Sequence, residues 1–231
     1  MMKLNDRQQH ILTIIEKNQR VTVSQLAQRL YVSEMTIRRD LDKMEQEGLL
    51  QRYHGGAVAN TEYMQYPIDL RMHINEKEKR DVAKQAQAYI QDGQTIFLPG
   101  SSTCAFLIPC LKNYSGLRIV TNSIQFTILL SKMRIPAILS GGEYSESDKI
   151  LVGHGAERFL RSMNFDIAFL ACDGISQNGT VTVKDEQTAE IVRIGFEHSQ
   201  KRVILADRSK LGSQYTYNIC NSDEADAIIV V

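Results

Sequence analysis

Ser33-Glu34-Met35-Thr36-Ile37-Arg38-Arg39-Asp40-Leu41 is the stretch on which the fold of the first sixty residues turns. Ser33 is a natural N-cap, with a hydroxyl that accepts a backbone N–H one turn into a helix. Ile37 and Leu41 stand four apart and share one face with Met44, which predicts a helix over 34–47 stopped by Gly48. Glu34, Met35, Thr36, Arg38 and Arg39 are then left on the outer face of its first turns. Upstream, Leu26, Ala27 and Leu30 predict a short helix over 23–30, and Ile11, Leu12, Ile14 and Ile15 predict one over 6–18. Tyr31-Val32-Ser33 is the turn between the second and third helices. Downstream, Leu49 to Val58 reads as a hairpin with Gly55-Gly56 near its turn, carrying Arg52 and His54. A helix, a bracing helix, a tight turn, an exposed cationic helix and a hairpin form a winged helix-turn-helix. The major groove, about 12 Å wide, admits one such helix, and its N-terminal residues meet base edges. On its own, Arg38-Arg39 would be a solvated helix face; the order of the surrounding elements decides otherwise.

Total charge is silent on this. The 231 residues carry 27 basic and 27 acidic side chains, a net charge of zero. Residues 1–60 hold nine basic and seven acidic ones, so position rather than excess makes the case. Cys104, Cys110, Cys172 and Cys220 form no C-x-x-C pair, so neither a metal site nor a disulfide framework is expected. The start opens no apolar leader, and no apolar run approaches the ~20 residues of a membrane span. A cytoplasmic protein with no membrane contact, no metal and no cofactor is expected.

Residues 59–75 lack a clear period, contain Pro67, and read as a linker with local structure. Glu76 to Gln91 predicts an amphipathic helix. Beyond it, apolar runs at 95–98, 117–120, 137–139, 167–171, 203–206 and 227–231 alternate with helical stretches near 102–112, 123–132, 154–162 and 187–199. That alternation predicts a mostly parallel sheet covered on both faces. Small and hydroxylated residues follow the runs: Gly100-Ser101-Ser102-Thr103, Thr121-Asn122-Ser123, Ser140-Gly141-Gly142 and Cys172-Asp173-Gly174. In a parallel sheet these loops share the carboxyl edge, where ligands bind. Hydroxyls and backbone amides beside helix starts suit an anion, so a phosphate-bearing ligand is expected. Lys210 is a candidate phosphate partner; Asp173 and Asp185 are candidate acceptors for sugar hydroxyls.

The run from Ser33 to Leu41, with Glu47-Gly48-Leu49 and Arg52-Tyr53-His54-Gly55-Gly56-Ala57, closely resembles the winged helix of DeoR-type bacterial transcriptional regulators. The resemblance extends over nearly the whole chain, through Glu76-Lys77-Glu78-Lys79, Gly100 to Thr103, Thr121-Asn122-Ser123, Gly141-Gly142, Gly153, Asp173-Gly174 and Asp207-x-Ser209-Lys210-x-Gly212. It implies a second domain related to ribose-phosphate isomerase and glucosamine-phosphate deaminase, kept as a receptor for a phosphorylated sugar. Leu98-Pro99 stands where an acidic residue often precedes the glycine. These regulators usually continue past the equivalent of Ile228-Ile229-Val230-Val231 with a further strand-loop-helix segment.

The expectation is therefore an α/β protein. Residues 1–58 form a winged helix-turn-helix, 59–75 a linker, and 76–231 a mostly parallel sheet domain for effector sensing and oligomerisation. Ser33, Glu34, Met35, Thr36, Arg38, Arg39, Arg52 and His54 are the candidate DNA contacts. Gly100, Ser101, Ser102, Thr103, Thr121, Asn122, Gly141, Gly142, Asp173, Asp185 and Lys210 are the candidate effector contacts. Arg71, Lys77, Lys79 and Arg80 lie near the domain junction and are candidates for a relay. The expected function is a sequence-specific regulator acting on double-stranded operator DNA as a homodimer or homotetramer. It would repress a carbohydrate-use operon and answer to a phosphorylated sugar. The alternative is a sugar-phosphate isomerase or deaminase with an appended helical domain. Asp173, Asp185, Glu186 and His198 would be its available acids and bases, but no motif gathers them, and no catalytic residue is expected.

Overall fold

In the computed structural model, which describes residues 4–18, 20–59 and 68–231, polar caps set the helix ends of the first unit. Asn5 opens α1 (Asp6–Asn18): its Oδ1 accepts the Gln8 N–H at 2.9 Å, and Gln8 Oε1 accepts the Asn5 N–H at 3.1 Å. β1 (Arg20–Thr22) follows. Thr22 then opens α2 (Val23–Leu30) with the same reciprocal device through Gln25, satisfying two of the N–H groups that a helix start leaves unpaired. Ser33 caps α3 (Glu34–Gln46), accepting the Thr36 N–H at 3.3 Å. The apolar stripes expected from the sequence meet here: Ile11, Leu12, Ile15, Leu26, Ile37, Leu41 and Met44 are all fully buried. β2 (Leu50–Tyr53) and β3 (Gly56–Ala59) make the hairpin, and β3 also pairs with β1, giving an antiparallel sheet in the order β1-β3-β2. Gly56 is required where it stands, since a Cβ there would fall 2.1 Å from the Val21 carbonyl oxygen.

The chain divides into two compact units, Met1–Tyr66 with His73–Asn75, and Pro67–Met72 with Glu76–Val231. The stretch read as a linker thus contributes a short helix, α4 (Ile68–Arg71), to the second unit. The residues before Ile68 in that stretch, from 60 on, lie outside the described residues. α5 (Glu76–Ala86) gives way to a 3-10 turn over Gln87–Tyr89, so the α-helix is shorter than its apolar period suggests.

The second unit is built on β4 (Thr95–Phe97), β5 (Arg118–Thr121), α6 (Ile124–Lys132), β6 (Ala137–Leu139), β7 (Glu143–Ser145), β8 (Ile150–Val152), α7 (Gly153–Arg161), β9 (Phe165–Ala171), β10 (Gly174–Ile175), β11 (Thr180–Val183), α8 (Glu186–Glu197), β12 (Ser199–Ala206), β13 (Tyr217–Asn221) and β14 (Ala227–Val230). Six strands form one sheet in the order β14-β12-β9-β4-β5-β6, and every pairing is parallel. Alternate side chains go to opposite faces. Phe97, Val120, Leu170 and Ile204 join one core with α7 and α8, while Ile96, Ile119, Phe169 and Leu205 join another with α5 and α6. Gly195 lets α8 approach closely: a Cβ there would lie 2.2 Å from the Phe97 ring.

The helical stretch expected near 102–112 is a 3-10 helix over Cys104–Asn113 with Pro109 inside. Proline has no N–H to donate, and the Cys110 thiol donates to the Phe106 carbonyl nearby. Two further features had no counterpart in the apolar pattern: the β7–β8 hairpin and a small antiparallel sheet, β10-β11-β13.

Candidate functional site

In the first unit, burial sorts α3 into two sides. Ile37, Asp40, Leu41 and Met44 face inward. Glu34, Met35, Arg38 and Arg39 are exposed, and Thr36 is half-buried. Asp40 is held inside by the Arg7 guanidinium and by Gln8 Nε2 at 3.2 Å. The Ser33 and Thr36 hydroxyls lie 2.9 Å apart at the N-terminal tip. Arg38 reaches Glu34 only at 3.4 Å, with both side chains about half exposed, a contact of small energetic worth. The outer face of α3 thus carries the exposed Arg38 and Arg39, with the Ser33 and Thr36 hydroxyls at its tip.

The hairpin is tied down. Tyr53 donates to the Val21 carbonyl at 3.1 Å, and the Arg20 guanidinium lies 4.0 Å over the Tyr53 ring. Arg52, a candidate DNA contact, pairs with Asp42 of α3, and its backbone N–H donates to Glu45 at 2.7 Å. Its guanidinium thus braces the hairpin against α3. His54, at the turn, is exposed.

In the second unit, the loops that follow β4, β5, β6, β9 and β12 all leave the same edge, because the strands are parallel. The strand order reverses between β4 and β9: β5 and β6 continue to one side, β12 and β14 to the other. Adjacent loops diverge at such a point and open a crevice. The loop from Gly100 to Thr103 stands on one side of it and Cys172-Asp173 on the other. Buried polar side chains gather along this edge: Ser102, Thr103, Thr121, Asn122, Ser123, Ser140 and Asp207 are all at most 6 % exposed.

Asn122 is the hub. Its Oδ1 accepts the Gly100 N–H at 2.8 Å, its Nδ2 donates to the Leu151 carbonyl at 3.0 Å, and its own carbonyl accepts the Leu151 N–H at 2.7 Å. It therefore locks the first two loops to β8. Thr121 Oγ1 accepts the Ser123 N–H at 3.1 Å. Gly100 itself packs so closely that a Cβ would meet Ile150 at 2.3 Å. Ser101 is occupied as a cap, accepting the Cys104 N–H at 3.0 Å. Gly141 and Gly142 both have positive φ, +72° and +114°. On the other side of the crevice, Asp173 accepts the Lys184 N–H at 3.0 Å and Asp185 caps α8, accepting from Thr188 at 2.8 Å. The Gly212 N–H donates to the Ile175 carbonyl at 2.8 Å and Leu211 bridges Ile175, so the loop after β12 lies beside the segment that follows β9.

One side chain links this edge to α4. Lys79 is buried, and its ammonium donates to Ser102 Oγ at 3.0 Å and to the Arg71 carbonyl. The turn between β7 and β8 holds α4 from its other side through Arg71–Asp148, Lys149–Asp69 and the Ile68 N–H on the Ser147 carbonyl at 3.0 Å. Of the four junction cations, Arg71 and Lys79 thus make internal contacts. Lys77 is exposed, and Arg80 pairs with Glu76 and covers the Phe106 ring. Asp148 escaped the sequence reading, since nothing local marks an aspartate in a polar turn as buried.

Residues 7–63 match the family model described as DeoR-like helix-turn-helix domain, and residues 74–230 the one described as DeoR C terminal sensor domain. A Lactose phosphotransferase system repressor of Lactococcus lactis subsp. lactis is 33 % identical over 214 residues, covering 90 % of this chain and 84 % of that protein. An L-fucose operon activator of Haemophilus influenzae is 34 % identical over 212 residues, with the same coverages of 90 % and 84 %. A Glycerol-3-phosphate regulon repressor of Escherichia coli is 28 % identical over 228 residues, covering 98 % and 90 %. Among solved structures, an eIF2B delta from Chaetomium thermophilum superposes at TM-score 0.51 and 16 % identity, covering 67 % of this chain and 56 % of that one. At that identity the likeness is one of fold. A D-ribose-5-phosphate isomerase in complex with phospho-erythronic acid superposes at TM-score 0.45 and 22 % identity, covering 59 % and 54 %. The chain spans about half the length of these solved structures.

Proposed function

The chain belongs to the DeoR family of transcriptional regulators, and on that premise we propose that it represses a carbohydrate-use operon and is controlled by a phosphorylated sugar. Its helix-turn-helix binds DNA. Ser33, Glu34, Met35, Thr36, Arg38 and Arg39 of α3 read the major groove, while His54 and the braced Arg52 lie along the backbone. Arginine pairs with guanine edges or with phosphate, and an apolar side chain such as Met35 meets thymine methyl groups. A two-fold oligomer, dimer or tetramer, would present two such helices to paired half-sites. No helix among the described residues is long and apolar enough to cross a membrane, in keeping with a regulator at work in the cytoplasm.

The observation that carries the effector reading is the row of buried hydroxyl and amide groups along one sheet edge, at the reversal of strand order. These groups hold the loops of the edge to one another, which fixes a polar frame of hydroxyls, amides and glycine backbone beside helix starts, chemistry suited to a phosphate and sugar hydroxyls. Gly100 to Thr103, Thr121, Asn122, Gly141, Gly142 and Lys210 would frame the phosphate and sugar, with Asp173 and Asp185 at the sugar end. The geometry favours a receptor over a catalyst. Asp173 and Asp185 each spend a carboxylate oxygen on a backbone N–H. His198 sits at the amino end of β9, its ring on the Met163 carbonyl, away from the loop edge. A general base must reach the substrate's proton.

The test is a thermal-shift survey of the full chain with phosphorylated pentoses, hexoses and trioses beside their unphosphorylated parents. One sugar phosphate should stabilise the protein by about 2.7 kcal/mol at a hundredfold excess over its Kd, and its parent sugar should not. Indifference to the whole set would sink the effector reading. Steady turnover of the stabilising ligand would favour the enzyme.

A further inference from the structure

We propose that Tyr31 is a DNA contact, its phenol hydroxyl donating to a backbone phosphate beside the groove that α3 enters. The inference rests on the reading of α3 as the DNA-reading helix. Tyr31 closes α2 with φ 53° and ψ 43°, the left-handed region. Glycine, or at need asparagine, occupies that region with little strain, whereas a bulky residue there is an outlier. The local duty of the position is met by backbone alone: the Tyr31 N–H donates to the Ala27 carbonyl, and the Val32 N–H does the same at 3.1 Å. The ring adds nothing to that, and it is 95 % exposed. Packing therefore does not offset the strain, and a strained residue kept without packing points to a use outside the fold.

Its place names the partner. Tyr31 stands two residues before Ser33, the cap of α3, at the end of that helix which meets DNA in this motif. Met35, 63 % exposed, is the other large apolar side chain exposed in this unit among the described residues, and it lies on the first turn of α3. Both are thus exposed at the N-terminal end of α3. A tyrosine hydroxyl is among the usual donors to phosphate oxygen. It donates without a charge, so it releases no counterion on binding.

Binding of the full chain to a short duplex of mixed sequence, measured across a series of salt concentrations, tests this without knowledge of the operator. Tyr31→Phe removes only the hydroxyl. It should weaken binding about 3- to 10-fold, the net worth of an ordinary hydrogen bond at an exposed site, with the salt slope unchanged. Tyr31→Gly should weaken binding at least as much while melting at or above the wild-type temperature. Arg39→Ala is the reference for the underlying reading and should weaken binding with a salt slope smaller by about one. If Tyr31→Phe binds like wild type while Arg39→Ala weakens, the Tyr31 contact is wrong and α3 stands. If Arg39→Ala is silent as well, both fall. A Tyr31→Gly protein that melts well below wild type would mean the ring holds the fold, and would overturn the proposal.

Discussion

The Lys79 ammonium lies 3.0 Å from Ser102 Oγ and donates also to the Arg71 carbonyl, so one buried cation joins the loop after β4 to α4. A second route runs from the same edge: Asn122 bonds Leu151 of β8, and the turn before β8 grips α4 through Asp148 and Lys149. Both routes end on α4, so a ligand bound at this edge would act on α4 through them.

Lys79→Met should therefore cut the stabilisation by a sugar phosphate, with affinity lower by about tenfold or more, the loss of one charge-assisted hydrogen bond. DNA binding without effector should persist. Lys77→Met, on the exposed side of the same helix, should leave both unchanged. Titration of ligand by calorimetry and of DNA by anisotropy separates the two effects. An unaltered ligand affinity for Lys79→Met would disconnect this lysine from the site.

Among the described residues two ion pairs hold α4, and burial ranks them. The Arg71–Asp148 side chains are 15 % and 10 % exposed, against 31 % and 32 % for Lys149 and Asp69. Removing one partner of a buried pair strands the other charge, at a cost of about 3–5 kcal/mol. A partly solvated pair is worth roughly 0–1 kcal/mol. Asp148→Ala should thus melt well below Lys149→Ala in thermal denaturation. Equal melting temperatures would show that solvent reaches the Arg71 pair as easily as the other.

Arg38 and Arg52 should fail in different ways. Arg38 is half exposed, and among the described residues it is held by Glu34 at 3.4 Å; its replacement by alanine should leave stability nearly unchanged. If it reads a base, operator binding falls by about 1–3 kcal/mol and preference relaxes at one position. Arg52→Ala also loses the brace to Asp42. Its effect on stability should be non-additive with Asp42→Ala in a double-mutant cycle. Strictly additive losses would remove the brace.

Where structure was dictated locally, it was legible from residues alone. Ser33, Gly48 and the spacing of Ile37, Leu41 and Met44 place α3 within one residue of its observed end. Four-residue apolar runs such as 203–206 located strands, though not their full length, since β12 begins at Ser199 with polar residues. The small antiparallel sheet was not legible, because Val181 pairs with Cys220 across a long stretch of chain and neither strand alternates over enough residues. The same holds for Asp148, whose burial depends on an arginine 77 positions away. The loops along the carboxyl edge of the sheet were legible by composition, but composition did not reveal that Asn122 is a structural hub. Nor did it show that Asp185 is committed as a cap.

Gly141 and Gly142 are both candidate effector contacts, and their surroundings separate them. A Cβ at 142 would lie 2.5 Å from the Val152 carbonyl oxygen and 2.9 Å from Ala156 Cβ, at φ +114°. At 141, with φ +72°, nothing lies within 4 Å. Gly141→Ala should cost only the left-handed strain, about 1–2 kcal/mol, and is the substitution with which to probe the sugar. Gly142→Ala adds a backbone clash and should exceed 2 kcal/mol. Urea midpoints measure both. A Gly142→Ala protein as stable as Gly141→Ala would mean that the β8–α7 junction yields freely.

The cysteines are packed as small apolar groups, and that has a sign in pH. Burial pushes the Cys104 thiol up to about 12, and it pushes up Cys172 as well. Cys220 is raised to about 12 by burial and then by its Glu224 and Asp223 neighbours. An unfolded thiol ionises near 8.5. A raised folded value means that the folded chain holds protons the unfolded chain has released. The contribution to stability is therefore complete below about pH 8.5 and is lost as pH rises toward 12. The urea midpoint should fall steadily across that alkaline range. At neutral pH, where the thiolate is the reactive form, Cys104 and Cys172 should resist alkylation in the native chain and react once urea unfolds it. Rapid native labelling of Cys104 would show that the 3-10 helix over 104–113 opens far more readily than its packing against β9 implies.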